Sequence, residues 1–174
     1  MPKPDPELRY TIRESKVFKR YQRILRDIVS SLDIGKIKAE TRMMHAGRKS
    51  RSLNIKKLNP KDLVEANLTD VSCRSRFVEI RVSLTDSVES LKKTVKAVKR
   101  HIFVEYSDNI PYKTRADKLM YFDRFFREAE DLLSELDHLV ESLDFYVKDI
   151  DQAGFALKNA ANMLEMIYTR ERSI

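Results

Sequence analysis

Five cationic side chains crowd two turns of chain between Lys92 and Arg100, and their spacing suits contact with phosphate. Lys92, Lys96, Lys99 and Arg100 recur at intervals of 3 and 4, which sets them near one face of a helix, with Lys93 beside them. Cations in such a row displace the counterions condensed on a polynucleotide, and the resulting affinity ignores base sequence. A plain solvated helix face has the same appearance, so both readings stand at this stage. Phe103 and Tyr106 follow one turn later, either as rings on which bases stack or as core. A second basic group, Arg48, Lys49 and Arg51, falls in the stretch His45–Lys57, HAGRKSRSLNIKK, which has no acid and no apolar period. It reads as a flexible linker that either orders on a polyanion or simply connects. No helix-turn-helix or zinc-finger pattern accompanies these cations, so binding is expected to be poorly sequence-specific.

Catalytic chemistry has little to draw on. His45, His101 and His138 are scattered, and no two lie four residues apart as metal ligands on a helix would. Asp131, Asp137 and Asp144 fall mostly on the polar side of their helix, which favours a solvated face over an acid–base pair. Cys73 has no activating neighbour in sequence, and an inert thiol is the default. The expectation is a protein that is not an enzyme and uses neither metal nor cofactor.

Long helices must carry these residues. In the last third, Leu119, Phe122, Phe126, Ala129, Leu133, Leu136, Val140, Leu143, Val147 and Ile150 alternate at 3 and 4, and the rhythm extends through Gly154 to Tyr168. A 3.5-residue apolar repeat turns one seam of a helix toward another helix, in the same chain or in a copy. This helix is expected to start near Thr114, and Gly154 either kinks it or admits a close neighbour. A preceding helix from about Val71 to Tyr106 has its own seam, Phe77, Ile80, Leu84, Val88, Leu91, Val95, Val98 and Ile102. Asn59-Pro60 reads as the start of a short helix before it, and Ser107–Tyr112 as a turn ahead of Pro111. Val17, Tyr21, Ile24, Ile28 and Leu32 place a basic amphipathic helix over about 7–32, interrupted near Gly35, with a short helical stretch to about Met44. The expected fold is all-α: an elongated antiparallel hairpin with heptad seams over 59–174, self-associating as a coiled-coil homo-oligomer, preceded by a basic helix and arm over 1–58.

Charge is unevenly spread. Residues 1–58 hold 16 Lys and Arg against 6 Asp and Glu, residues 59–113 hold 10 against 8, and residues 114–174 hold 8 against 13. A basic front on an acidic back suits polyanion binding, though attraction between neighbouring subunits would use the same asymmetry. One cysteine excludes an intrachain disulfide, no apolar run reaches 18 residues, and the opening Met-Pro-Lys-Pro-Asp-Pro is no secretory leader. A cytoplasmic protein with no membrane partner is expected.

Residues 56–166 resemble the UvsY-type recombination mediators of tailed phages. The likeness rests on four pieces in order: KKLNPKDLVEA from Lys56, VSCRSRFVEI from Val71, VKRHIFVEYSDN from Val98 and IDQAGFALKNAANMLEM from Ile150. The resemblance implies a ring-forming, non-enzymatic protein that loads a recombinase onto single-stranded DNA covered by single-strand-binding protein, in a phage-infected host's cytoplasm. It puts Arg100 on one DNA-contact position and Ile102, which is not basic, on the other, with Lys96 or Lys99 as substitutes. Residues 1–55 have no counterpart in the resemblance. A helical virion or scaffold component, using its seam for contacts and its basic arm for docking, is the alternative.

Overall fold

A computed structural model describes residues 6–53 and 60–171, which form six α-helices and no strand. They are α1 (Pro6–Glu14), α2 (Lys16–Ser31), α3 (Ile34–Leu53), α4 (Pro60–Tyr106), α5 (Arg115–Asp123) and α6 (Arg127–Glu171), with a single 3-10 turn at Ser107–Asn109. The all-α expectation therefore holds. No described helix is long and apolar enough to cross a membrane. The helices group into two compact units, one of residues 1–35 and 83–138, the other of 36–82 and 139–174. This division differs from the expected split at residue 58.

Unit one is built from α1, α2, the later half of α4, α5 and the start of α6. Its α4 seam residues Leu84, Val88, Leu91, Val95, Val98 and Ile102 are all buried, as their spacing requires. Each such side chain contributes about 1.5–3 kcal/mol on leaving water. Phe18, Tyr21 and Leu25 of α2 join them, so the amphipathic basic helix is part of this core and not a free arm. Ser15 divides the expected single helix into α1 and α2. Its Oγ accepts a hydrogen bond from the Phe18 N–H at 3.3 Å and donates one to the Ile12 carbonyl at 2.8 Å, a local cap that competes with a continuous helix.

The ladder helix also breaks. It starts where expected, with the Thr114 hydroxyl capping the Asp117 N–H at 3.1 Å. At 124–126 the chain tightens: the Phe125 and Phe126 N–H groups reach the carbonyls three residues back, at 3.0 and 2.9 Å. Aromatic rings gather around this turn. Phe18 meets the edges of both Phe125 and Phe126, Tyr21 lies 5.1 Å from Phe126, and Tyr121 and Phe122 are buried beside them. The tightened turn and these rings occur together, with Phe125 only part-buried.

Unit two contains α3, the first part of α4 and the rest of α6. Cys73, Phe77 and Ile80 of α4 and Leu139, Leu143 and Ile150 of α6 are buried there. Helix α3 continues to Leu53, so the expected flexible stretch beginning at His45 is helical through that residue. Its inner positions are polar. Thr41 is buried and donates to the carbonyls of Ile37 and Lys38, and His45 stacks on Tyr146 with ring centres 4.2 Å apart. At Gly154 helix α6 is uninterrupted, and no neighbour approaches closely: a side chain there would meet nothing within 4 Å. Helix α4 is likewise continuous from Pro60, without the expected break before Val71, while Asn59 lies outside the described residues.

Candidate nucleic-acid interface

Helix α4 carries the lysine cluster to the end of unit one, where it divides into two groups. Lys92 bonds both carboxylate oxygens of Asp137, at 2.9 and 3.1 Å. Lys99 donates to Asp123 at 2.8 Å and Glu130 at 2.5 Å, and lies 5.4 Å from the centre of the Phe126 ring. Burial pulls its ammonium pKa down, but the hydrogen bonds to the two carboxylates outweigh burial and hold it above the ordinary lysine value. Lys93 pairs with Glu89 one turn back, at 3.2 Å. Lys96 and Arg100 are exposed and form no ion pair among the described residues. Two of the five expected contacts are thus presented for a ligand without first breaking a salt bridge.

The aromatic candidates are occupied. Phe103 sits edge-on to Phe122 at 6.1 Å with the Arg115 guanidinium 5.7 Å from its ring centre, and Tyr106 is buried. Burial, then Glu105, raises the Tyr106 hydroxyl above its usual pKa, while a hydrogen bond with Ser15 works the other way. Ile102, the second position implied by the resemblance, is fully buried.

Arg48 is the clearest departure among the basic residues of the front segment. It is 5% exposed, donating to Asp70 at 3.3 Å, to the Asp149 carboxylate, and to the Asp149 carbonyl at 2.9 Å. A guanidinium so enclosed joins α3, α4 and α6 of unit two, and none of its charge faces outward. Lys49 remains exposed; the side chain of Arg51 lies outside the described residues.

Sequence reasoning overlooked the cations that the fold leaves most available. Helices α1 and α2 carry Arg9, Arg13, Lys16, Lys19, Arg20, Arg23 and Arg26. Among the described residues only Lys19 is ion-paired, with Glu14 at 2.5 Å. Lys16, Arg20 and Arg23 recur at 4 and 3 and are exposed, opposite the buried Phe18, Tyr21 and Leu25. The signal was present as the basic polar face of an amphipathic helix. It drew less weight than the Lys92–Arg100 row because its cations are spread over more turns.

Among the described residues no cluster of His, Cys, Asp and Glu is disposed to hold a metal ion, and Cys73 is a buried free thiol. What the arrangement offers chemically is fixed positive charge on a rigid helical support. No protein-family model, curated protein or solved structure matches the chain.

Proposed function

We propose that this chain is a non-enzymatic protein that binds single-stranded DNA through unit one and works as a homo-oligomer. The observation that carries the proposal is the row of exposed cations on α1 and α2, free of ion pairs except at Lys19. Lys96 and Arg100 of α4 are two further exposed cations of unit one without an ion pair among the described residues. Fixed cations of this kind bind by releasing counterions and select charge density over base identity. The role of assisting a recombinase against single-strand-binding protein rests on the resemblance over 56–166.

Self-association has a different seat from the one first expected. The ladder positions Phe122, Phe126, Ala129, Leu136, Leu143 and Ile150 are buried within the single chain. A second heptad row is exposed on α4: Val64, Leu68, Val71 and Val82 are each more than half exposed, and Val78 between them is part-covered. These residues recur at 4, 3, 7 and 4, with Ser75 completing the row. Its flanks carry Glu65 and Glu79 on one side and Arg74 and Arg81 on the other; both arginines already pair within the chain, with Asp151 and Asp144, so the apolar row itself is what a partner helix would cover. A second copy of α4 is the natural occupant. The same row would serve the assembly-protein alternative, which differs in having no need of a strand.

Binding of fluorescent oligo-dT at about 50 mM salt tests the reading, since non-specific polynucleotide binding is strongest at low salt. Saturable binding that weakens in a Lys16→Ala, Arg20→Ala, Arg23→Ala triple variant is expected. Wild-type protein that leaves oligo-dT unbound at that salt removes the DNA reading and favours the assembly alternative.

A further inference from the structure

In unit one a cavity of about 110 Å³ is lined by Arg9, Arg13, Tyr121, Arg124 and Phe125. Three of these five residues are arginines. Arg9 and Arg13 are one turn apart on α1, held there by the buried Leu8 and Ile12, and Arg124 comes from the turn between α5 and α6. None of the three has an ion pair or hydrogen bond from its side chain to a described residue, whereas Lys92, Lys93 and Lys99 in the same unit are each paired. Like charges at i, i+4 repel, and a third guanidinium adds to that repulsion. An arrangement that gathers cations without an acid is one that an anion stabilises.

We propose that this pocket binds a phosphate monoester in its dianionic form. The guanidinium fork matches phosphate geometry bidentately, and three forks around one small cavity offer more donors than a single phosphate has lone pairs to fill. The rest of the lining is aromatic: Tyr121 is 4% exposed, with the Phe125 ring 5.9 Å from its own. An apolar wall strengthens each charge–charge contact by lowering the local dielectric constant. The volume holds a phosphate group and falls well short of the several hundred Å³ that enclose a drug-sized ligand. The rest of the ligand therefore lies outside. Three positive charges favour a dianion over the single charge of a phosphodiester, so the pocket selects a phosphorylated terminus over the interior of a strand. A free phosphorylated small molecule and the phosphorylated end of a polynucleotide share this chemistry.

The test is isothermal titration of the full-length protein with thymidine 5′-monophosphate at constant ionic strength, with thymidine as the uncharged control. The nucleotide should bind saturably, with Kd on the order of 1 mM or tighter, and thymidine should not. Affinity should fall about fourfold between about pH 7.5 and about pH 5.5, since the second proton of a monoester binds near pH ~6. Arg13→Ala and Arg124→Ala should each weaken binding about tenfold, the loss of one charge-assisted contact. Lys148→Ala, an exposed cation of α6 in unit two, should leave it unchanged. These arginines are exposed, so the variants fold; circular dichroism checks that they do. Absence of a saturable heat in the wild type, or equal affinity in an Arg13→Ala, Arg124→Ala double variant, overturns the assignment. Competition between 5′-phosphorylated and 5′-hydroxyl oligo-dT then separates the sources. A preference for the phosphorylated oligomer identifies a strand end. Nucleotide binding without that preference identifies a small molecule, and both results uphold the pocket. Failure of every oligomer to bind would remove the DNA reading while leaving the nucleotide titration to decide this one.

Discussion

Tyr21 is almost fully buried against Phe18 and Phe126, and its hydroxyl has no hydrogen-bond partner among the described residues. Burial first, then the nearby carboxylates of Glu128 and Glu130, pushes its pKa from 10.0 up to about 12. The folded protein therefore holds this proton more tightly than the unfolded chain does. Stability from that difference is intact below the ordinary tyrosine value and is lost as pH climbs from 10.0 toward about 12. Tyr21→Phe removes both the unsatisfied hydroxyl and its titration. We expect it to stabilise the protein by about 1 kcal/mol, a melting temperature about 2–4 °C higher, and to flatten the alkaline limb of the stability curve. Thermal melts at pH 7 and pH 11 check both parts, and a destabilised Tyr21→Phe would mean the hydroxyl is satisfied. Arg48 presents the opposite case, a buried charge fully supplied with acceptors. Arg48→Ala strips Asp70 and Asp149 of their shared partner and opens a gap between three helices. Breaking an enclosed pair costs about 3–5 kcal/mol, and because Asp149 is partly solvated the expected loss is about 2–3 kcal/mol, measurable by urea unfolding. A change under about 0.5 kcal/mol would show that water replaces the pair without loss.

Helix α4 displays two heptad rows on different sides, and their contrast says what could be read from the sequence at the scale of elements. The inner row from Phe77 to Ile102 was legible because large apolar residues at 3 and 4 leave a helix one way to turn. The start of α5 was legible too, with Thr114 capping it as a hydroxyl at an N-cap should. Helix α3 was legible only to about Met44, and its continuation to Leu53 was not, because its inward positions are Thr41, His45 and Arg48. Such residues carry no apolar period, and each is accommodated by a partner that only the fold supplies: a carbonyl one turn back, the Tyr146 ring, two aspartates. The break at 124–126 was hidden by the very regularity of the ladder, since Phe122 and Phe126 keep the heptad across it. The pairing of Lys92 with Asp137 and of Lys99 with Asp123 and Glu130 was not read, since ion pairs between helices depend on a register that only the fold supplies. The outer row on α4 was masked by weak periodicity, being interrupted by Ser75. It carries the association proposed above. A Leu68→Lys, Val71→Lys variant should shift the mass measured by light scattering toward the monomer with little change in helicity, since both side chains are exposed in the single chain. An unchanged mass would place the subunit contact elsewhere.

The molecule as a whole spends its charge differently in its two units. In unit two, Arg48, Arg74, Arg76 and Arg81 each meet carboxylates, and the pairs link α3 or α6 to α4: Arg74 with Asp151 at 2.6 Å, Arg76 with Glu40 at 2.7 Å, Arg81 with Asp144 at 2.5 Å. Arg76 in turn lowers the pKa of Glu40 by hydrogen bonding, so this link persists as a carboxylate below the usual range. Unit one keeps Lys16, Arg20, Arg23, Lys96 and Arg100 outside such pairs. Unit one carries only +2 of the chain's net +7, so it is the placement of these unpaired cations, and not net charge, that would draw a polyanion to it. The salt dependence of oligo-dT binding turns this into a number. Each phosphate neutralised on a single strand contributes about −0.7 to the slope of log K against log salt, so three to five of these cations give about −2 to −3.5. Replacing Lys16, Arg20 and Arg23 by Ala should flatten the slope by about 2, and replacing Lys96 and Arg100 by about 1.4. Replacing Lys92 and Lys99 should leave the slope nearly unchanged while lowering thermal stability, because those ammonium groups already neutralise Asp137, Asp123 and Glu130. If the Lys92 and Lys99 variants flatten the slope as much as Lys96 and Arg100 do, the strand competes successfully with the protein's own carboxylates. The distinction between committed and available cations would then fail as a guide to where the strand lies.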